Sequence, residues 1–498
     1  MTAAPSAQRF AIQRFTTPRM PAGAPAALMA LGAGLLAGAA IGLLGEFGAA
    51  VLIAFGVLLL GTLAAVNSAG RYRDAFLAVV FVAMFAIPLI HKAFGGYFWG
   101  LWQLALVGAA LFGLRPLFAF AGHTRTFRVA LVLFGLYLLA ALVASLYGRS
   151  RMAAFLYQLM SDLKPVLMIA LGFGALWLPR TERLFWAAAR WLWLPLLLLI
   201  GCEWGAPSVY FSVFPGRPVD ADQYGLFPSR AMSAFEHPSL LATTAALLAV
   251  VCVARSRRDL VADNRYLLLA GAYFLLVVFA VQRQEFLACA LAALLALALM
   301  RPQRIGQMLT LAVVLVPAFV AGFTALYWDS ILAEAASWGI GNSRPIEHPR
   351  AQILATSLQL ARDYFPLGSG LGTFGGAGAE KFDQSLYVDL GFGRYWWFGS
   401  QDYLMDMYWP NPIGETGLFG ALLLAAAYLA FIVAGIRGAL RAAGRERLYW
   451  AMFSAGTLYI LLLSMSSPAF QDPRLTLLAS IWAGIAVRCR QQDTEETA

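Results

Sequence analysis

Arginine, glutamate and histidine occur together in one short polar stretch that leads into a long apolar run. The stretch "RAMSAFEHPSLLA" begins at Arg230 and places His237 directly before the apolar residues. A second arginine, Arg283, lies in "VQRQEF", a turn between two other apolar runs. Guanidinium groups stay charged and bind phosphate oxygens through two parallel hydrogen bonds, so these arginines predict a phosphate or diphosphate site. The alternative is that each arginine only snorkels to a membrane interface.

Two carboxylates near residue 410 are candidates for proton transfer. In "MDMYWPNPIGETGLFGALLL", Asp406 lies about two turns upstream of the acid Glu415. Pro410 and Pro412 are tolerated at a helix start, and an anion such as Glu415 is favoured in the first helical turn, which gives that residue a structural explanation. We therefore predict that Asp406 accepts a hydroxyl proton, with His237 as the second candidate base.

Other motifs suggest metal or nucleotide binding only weakly. "VDAD" gives Asp220-x-Asp222, a spacing by which some sugar-transferring membrane enzymes hold a divalent cation, although a solvated loop has the same pattern. "GSGLGTFGG" contains Gly370-x-Gly372-x-x-Gly375, but no strand precedes it, so it predicts tight glycine turns rather than a dinucleotide site. The cysteines and histidines show no zinc-ligand spacing. We expect neither a metal nor another cofactor, with the aspartate pair as the open alternative.

The elements that position these residues are membrane spans. The 498 residues are 61% hydrophobic and only 12% charged, against about 25% charged in an average soluble domain. Apolar runs long enough to cross a bilayer recur along the chain, which predicts an all-α polytopic membrane protein. The fourteen predicted spans are 26–44, 48–66, 75–90, 97–114, 129–147, 165–178, 184–200, 238–254, 266–281, 286–300, 305–328, 413–436, 448–465 and 475–487.

The distribution of basic residues predicts the orientation of the spans. With the N-terminus inside, short inner segments hold 22 Lys and Arg and short outer segments hold 6. The transmembrane domain would then cover 26–488, with cytoplasmic tails at 1–25 and 489–498. The net charge of +10 reflects these inner arginines, so no nucleic-acid partner is expected.

Two long loops, 202–237 and 329–410, fall on the outer, periplasmic side. The second is the largest and lies between spans 11 and 12. Its aromatic stretch "GFGRYWWFGSQDYLMDMYW" indicates an ordered loop. Within it, "HPRAQILATSLQLARDYF" predicts a helix with Ile353, Leu354, Leu358 and Leu360 on its apolar side.

Three of these motifs follow one another in a familiar order. Arg230 precedes "SAFEHPS", in which Ser239 stands where the pattern usually has Asn; Arg283 follows in "QRQEF"; Arg350 then opens the loop helix before "FPLGSGLGTF". The chain resembles the family of O-antigen ligases and Wzy-type polysaccharide polymerases, multi-span enzymes with one large periplasmic loop. The resemblance covers residues 230–430 and the overall topology.

The closing motif of the family resembles "DMYWPNPIGETGLFG", which carries its acid onto Glu415 and its glycine pair onto Gly417 and Gly420. With Tyr408 in the same motif, Glu415 is assigned to binding of the glycan or lipid diphosphate. Ligases have a histidine where this chain has Asp406, and aspartate there is more similar to the polymerases. The base and the choice between the two activities therefore stay open.

The resemblance implies a GT-C-like, inverting, metal-independent glycosyltransferase of O-antigen or exopolysaccharide biosynthesis. It would act in the bacterial inner membrane, at the periplasmic face, on a glycan linked to undecaprenyl diphosphate. Polymerisation is the favoured activity. Arg230 and Arg283 would hold the diphosphate, and Arg350 would bind phosphate or glycan. The implied partners are the lipid-linked glycan, an acceptor glycan, the bilayer and other polysaccharide assembly and export proteins.

Three alternatives remain. The first is a ligase that transfers the glycan to lipid A core. The second is a transporter of polysaccharide or lipid-linked glycan, which normally has internal repeats and charges at the bilayer midplane. The sequence shows no clear repeat, and only Arg190 lies well within a predicted span. The third is a scaffolding subunit of an export complex, which would explain the large loop but not the outer arginines.

Overall fold

The computed structural model describes residues 113–214, 227–257, 263–300, 348–399 and 403–497, together with isolated positions between these ranges. The predicted tail 1–25, the spans 26–44, 48–66, 75–90 and 305–328, most of the span 97–114, and the Asp220–Asp222 pair lie outside the described residues.

The described part of the chain is built from helices and contains no β-strand. Residues 113–123 are helical and precede α1. The helices are α1 Arg125–Tyr147, α2 Met152–Gly174, α3 Pro179–Trp191, α4 Trp193–Gly205, α5 Pro207–Val213, α6 Pro238–Arg255, α7 Asn264–Phe279, α8 Arg283–Met300, α9 Pro349–Asp363, α10 Ala377–Phe382, α11 Ser385–Asp389, α12 Pro410–Arg441, α13 Gly444–Leu463, α14 Pro473–Ser480 and α15 Trp482–Thr497, with a 3-10 turn at Phe392–Arg394.

Six helical segments in this part are long and apolar enough to cross a membrane. They are α1, α2, the segment Pro179–Gly205 formed by α3 and α4 together, α6, α8 and α12. Leu192 continues the helical backbone between α3 and α4, which explains why the two helices together form one segment long enough to cross a membrane. The chain is therefore a multi-pass helical membrane protein, while fourteen spans and a GT-C-like arrangement remain predictions.

The predicted span 165–178 was wrong at both ends, because α2 begins at Met152 and ends at Gly174. Polar residues in the first half of α2 hid the helix from a search for apolar runs. Asp162 and Lys164 lie within it and are buried, which also corrects the expectation that only Arg190 is charged inside a span.

A buried polar network satisfies the polar residues of α2. The Tyr137 hydroxyl donates to Asp162 Oδ2 at 2.5 Å, and Gln158 Nε2 donates to Asp162 Oδ1 at 2.8 Å. The same Gln158 nitrogen lies 3.0 Å from Asn411 Oδ1 on α12. Lys164 Nζ donates to the backbone carbonyl of Gln471 at 2.9 Å. These bonds join α1, α2, α12 and the segment before α14, because polar groups buried among apolar helices need partners.

Helix α12 is the central element of the described part. It starts at Pro410, as the two prolines predicted, and packs against α1, α9 and α13. Its backbone leaves the helical conformation at Gly417, where φ is 69°. A side chain there would press on the backbone of Leu367 and Pro366, so glycine allows the glycine-rich turn to approach the helix.

The predicted loop 329–410 is ordered over its described residues and has an aromatic core of its own. Phe374, Tyr387, Phe392 and Trp397 are buried in it. The predicted loop helix is confirmed as α9, and Ile353 and Leu360 are buried as expected. Leu358 was placed wrongly on the apolar side: it is 40% exposed, because α9 turns only a narrow face towards α12.

Candidate functional site

Five of the seven predicted site residues line one cavity of about 670 Å³, which we call the site cavity. These five are Arg230, His237, Arg283, Arg350 and Asp406. They come from separate parts of the chain, and the fold brings them together around one cavity. The cavity is also lined by Glu236, Ser239, Leu240, Thr243, Val281, Gln282, Gln284, Glu285, Glu380, Met405, Ser466, Ser467, Pro468, Ala469, Asp472 and Leu475.

Four helices point their N-terminal ends at the site cavity. His237 caps α6, Arg283 is the first residue of α8, Arg350 lies in the first turn of α9, and Asp472 caps α14. At α8 and α9 the capping residue makes no side-chain hydrogen bond to the helix start. Helix N-termini carry partial positive charge and unpaired backbone N–H groups, so this convergence favours an anionic ligand.

The backbone beside Arg230 is fixed by a buried carboxylate. Glu203, at the end of α4, is 1% exposed and accepts hydrogen bonds from Met232 N at 3.0 Å and Ser233 N at 2.9 Å. Ala231 N donates to Phe279 O at 3.1 Å, at the end of α7. The position of Arg230 is therefore set by α4 and α7, although neither helix contributes a side chain to the cavity.

The two predicted diphosphate arginines differ in their surroundings. Arg230 is half-buried, and its Nε is enclosed without a hydrogen-bond partner among the described residues. A buried N–H donor normally has an acceptor, because leaving it without one costs about 1–3 kcal/mol. Arg283 is exposed at the mouth of α8. The enclosed donor of Arg230 is the clearest sign that the cavity receives an acceptor group.

Arg350 and Asp406 form an ion pair in the wall of the cavity. Arg350 Nε donates to Asp406 Oδ2 at 2.8 Å, and both side chains are about one-third exposed. This pair was not foreseen, because the two residues were assigned to different tasks. Asp406 orients the guanidinium of Arg350, and one of its oxygens is committed to that bond before any substrate arrives.

His237 is held by the start of α6. Its Nδ1 accepts a hydrogen bond from Ser239 N at 3.2 Å and lies 2.7 Å from the Ser239 hydroxyl. Burial lowers the pKa of His237, the charge of Arg230 lowers it further, and Asp406 opposes both. The imidazole is therefore neutral near pH 7, and with Nδ1 accepting, Nε2 carries the proton. In this tautomer His237 donates a hydrogen bond and is not poised to remove a proton.

Two carboxylates at the cavity were missed by sequence reasoning. Glu285 lies in the first turn of α8 and is 4% exposed. Glu380 lies on α10, which Gly378 N anchors to Gln158 Oε1 of α2 at 3.1 Å. Burial raises the pKa of Glu380, and Lys381 opposes this shift. Glu285 lies in the "VQRQEF" stretch but was not singled out there, and Glu380 belongs to no motif. Only the packing of α8 and α10 around the cavity identifies the two residues.

Two further acidic side chains at the cavity are neutralised by one buried arginine. Glu236, next to His237, accepts from Arg474 at 3.0 Å, and Asp472 accepts from the same arginine at 2.7 Å. Arg474 is almost completely buried. Burial alone would raise the pKa of Asp472, but Arg474 outweighs it and the pKa is lowered. This arginine joins the start of α14 to the segment that carries His237, and so closes one side of the cavity.

Tyr408 and Glu415 do not line the site cavity, contrary to their assignment to substrate binding. Tyr408 is 1% exposed, and its hydroxyl lies 2.9 Å from the hydroxyl of Tyr428 on α12. Its ring also packs against Phe470, with the ring centroids 5.2 Å apart. Tyr408 is therefore part of the main hydrophobic core.

Glu415 holds the glycine-rich turn. It is completely buried, and its Oε1 accepts from Thr373 N at 2.9 Å and Phe374 N at 3.0 Å. Gly370 N donates to the backbone carbonyl of Glu415 at 2.9 Å. Gly370, Gly372 and Gly375 all have positive φ, which confirms the predicted glycine turn. The acid of the motif thus binds backbone amides of its own chain.

Within the described ranges, no group of three or more His, Cys, Asp or Glu side chains is arranged to hold a metal ion. The Asp220–Asp222 pair is not among these residues, so its metal-binding alternative stays a prediction. In comparison with known proteins, no family model matches this chain and no curated protein matches it. The site has to be interpreted from its own geometry.

Proposed function

We propose that this protein is a membrane glycosyltransferase that transfers or polymerises a glycan carried on a lipid diphosphate, with polymerisation favoured. The observation that carries the proposal is the site cavity itself. It combines three arginines, four helix N-termini and the carboxylates of Asp406 and Glu380 in a volume of about 670 Å³. One of the arginines, Arg230, has an enclosed Nε with no hydrogen-bond partner among the described residues. Cavities of roughly 300–1000 Å³ are typical of sites for small-molecule ligands and cofactors.

The reaction assigns a separate task to each kind of group. The acceptor hydroxyl oxygen forms a bond to the anomeric carbon of the donor sugar, and the bond from that carbon to the diphosphate oxygen breaks. The lipid diphosphate leaves with the electron pair, and the hydroxyl proton passes to a carboxylate. Arg230 and Arg283 stabilise the charge that develops on the leaving group. His237 donates through Nε2 to a phosphate or sugar oxygen.

Asp406 and Glu380 are the two candidate bases. Asp406 was predicted, but its ion pair with Arg350 gives it a structural task as well. Glu380 lines the same cavity, and its raised pKa makes it a better proton acceptor than an ordinary glutamate. The variants Glu380→Gln and Asp406→Asn are compared to identify the base. The variant that removes the base should lose roughly 100-fold or more in transfer rate while it keeps its affinity for the donor.

Donor binding tests the role of the arginines. Full-length Arg230→Ala, Arg283→Ala and the double variant are purified, and their affinity for a lipid diphosphate carrying one glycan repeat is measured. A hydrogen bond to a charged group contributes about 1.5–3 kcal/mol, so each single variant should bind roughly 10- to 100-fold more weakly. Lysine at either position should restore binding only in part, because it lacks the planar fork.

The two arginines should also be coupled. If both hold one diphosphate, the double variant loses less affinity than the two single losses combined. Arg362→Ala is the matched control, because Arg362 is exposed on α9 and does not line the cavity. Unchanged donor affinity in both single variants would refute the diphosphate site.

A transporter is the second candidate, favoured by the buried charges of α2. Asp162 and Lys164 lie inside a membrane-spanning helix, and ionisable residues at such positions often mark a transport path. The hydrogen bonds of Asp162 and Lys164 are to protein groups, however, and neither residue lines the site cavity.

An assay in detergent separates the two functions, because detergent micelles have no compartments. Donor lipid and purified protein should yield longer glycans on lipid diphosphate if the protein is a polymerase. Addition of lipid A core as acceptor should yield a conjugate only if it is a ligase. If neither product forms from an active donor, and the same donor is taken up into proteoliposomes, the result favours the transporter.

A further inference from the structure

A second cavity lies at the other end of α6 from the site cavity. It has a volume of about 520 Å³, and we call it the arginine cavity. His237 caps the start of α6, whereas Arg255 at its last turn lines the arginine cavity. The 18 residues of α6 rise about 27 Å, close to the thickness of a bilayer core. The two cavities therefore face opposite membrane surfaces, and the basic-residue bias predicts that this one is cytoplasmic.

Four arginines line this cavity against one carboxylate. They are Arg183, Arg190, Arg255 and Arg445. The carboxylate, Glu182, is in direct ion-pair contact with Arg445, and the residues that line the cavity carry a net positive charge. The guanidinium of Arg255 lies over the rings of Trp186 and Tyr266, at 5.7 and 5.2 Å from their centroids. Stacking on two aromatic rings fixes the plane of this guanidinium, as an anion site requires.

An apolar groove of about 540 Å³ continues from the arginine cavity. Arg190 and Tyr266 line both, and the groove is otherwise lined by Trp191, Trp193, Arg265, Leu268, Leu269 and Ala272. Two of these apolar side chains are largely exposed: Trp191 at 64% and Leu268 at 76%. A cationic cavity that opens into an apolar groove along two membrane helices matches an amphiphile with an anionic head and hydrocarbon tails.

We propose that the arginine cavity and its groove bind an anionic phospholipid. The phosphate lies among Arg183, Arg190 and Arg255, and an acyl chain lies in the groove along α3, α4 and α7. A free phosphate would use the cavity but not the groove, and a zwitterionic lipid would use the groove while adding a cation near the arginines. Basic pockets between membrane helices on the cytoplasmic side are suited to anionic headgroups. This site is independent of the reaction at the site cavity.

The test measures lipid binding to the full-length protein in a neutral detergent. Dioleoyl-phosphatidylglycerol and dioleoyl-phosphatidylcholine are titrated separately, and bound lipid is counted by mass spectrometry of the intact complex. The wild type should prefer phosphatidylglycerol. Arg183→Gln with Arg190→Gln should weaken its binding about five- to 25-fold, at about fivefold for each arginine near a membrane surface. Both arginines are exposed, so the variant should fold.

Arg437→Gln with Arg441→Gln is the matched control, since it removes two exposed arginines from the same predicted face outside the cavity. It should keep the preference for phosphatidylglycerol. Leu268→Asn should weaken the binding of both lipids, because it replaces an apolar side chain of the groove by a polar one. Equal lipid selectivity in the test and control variants would overturn the proposal. Binding of inorganic phosphate or glycerol 3-phosphate as tightly as phosphatidylglycerol would also overturn it, because the acyl chains would then contribute nothing.

Discussion

Replacement of Glu415 by alanine should loosen the glycine-rich turn without touching the site cavity. The carboxylate oxygen Oε1 accepts two backbone N–H groups, from Thr373 and Phe374, in a completely buried environment. Alanine removes the acceptor and leaves both donors enclosed. Water cannot reach them unless the turn moves away from the start of α12.

The magnitude follows from these two bonds. A buried donor without a partner costs about 1–3 kcal/mol, so Glu415→Ala should lower the free energy of unfolding by about 2–6 kcal/mol. Native domains are stable by only about 5–15 kcal/mol, which makes this a large fraction. Glu415→Gln keeps one carbonyl oxygen as acceptor, so its loss should be clearly smaller.

The assay is thermal unfolding of the detergent-purified protein, combined with limited proteolysis near the exposed residues Phe382 and Val388. Alanine should lower the midpoint by roughly 5 °C or more and expose the turn to the protease, and glutamine should have the lesser effect. A Glu415→Ala protein that unfolds like the wild type and loses only donor affinity would refute this reasoning. It would return Glu415 to the substrate-binding role suggested by its motif.

Three further predictions concern the pH dependence, the glycine turn and the topology. Because burial raises the pKa of Glu380, this base becomes protonated as the pH falls through the raised value. The initial transfer rate should therefore fall on the acid side, and Glu380→Gln should abolish this pH dependence. Gly372→Ala should lower the melting temperature strongly, since a side chain would overlap the backbone of α2, whereas Gly391→Ala, with similar φ and open space, should cost less. In intact spheroplasts an impermeant thiol reagent should label a cysteine at Val388 and not one at Arg437; the reverse would invert the predicted orientation.

The helical membrane architecture was predictable because it depends on composition summed over long segments. Apolar runs identified the helices α6, α8 and α12 without reference to any partner. Helix α2 was only half identified, because its polar residues are satisfied by groups that are distant in sequence. A hydropathy pattern reports the medium around a helix and cannot report such partners.

The site was predicted in part, for a related reason. Arg230 and Arg283 were found because charge near a membrane boundary is rare and therefore informative. Arg350 was found by its place at the start of the predicted loop helix. Glu380 was missed, since an acid in a long outer loop is ordinary until the fold places it in a cavity. Glu415 was misassigned because its motif does not show whether an acid binds a substrate or the chain's own backbone amides.

The buried polar network has a consequence for how the protein is assembled in the membrane. Gln158 of α2 and Asn411 of α12 are 253 residues apart, so α2 is synthesised long before its partner. At roughly 5–20 residues per second, the delay is about 10–50 s. During this time Gln158 lacks its partner Asn411 and Lys164 lacks its partner Gln471. In addition, α2 has the lowest mean hydropathy of the six candidate spans, 1.3.

Insertion of α2 alone is therefore weakly favoured, and its completion depends on the last third of the chain. A nascent protein truncated before α12 would hold Gln158 and Lys164 against lipid or a chaperone rather than against Asn411 and Gln471. The network thus makes assembly of the protein depend on helices that are synthesised late. Chains that end early, or that mispair α12, keep polar groups without partners in the membrane. Quality-control proteases can recognise a protein in this state.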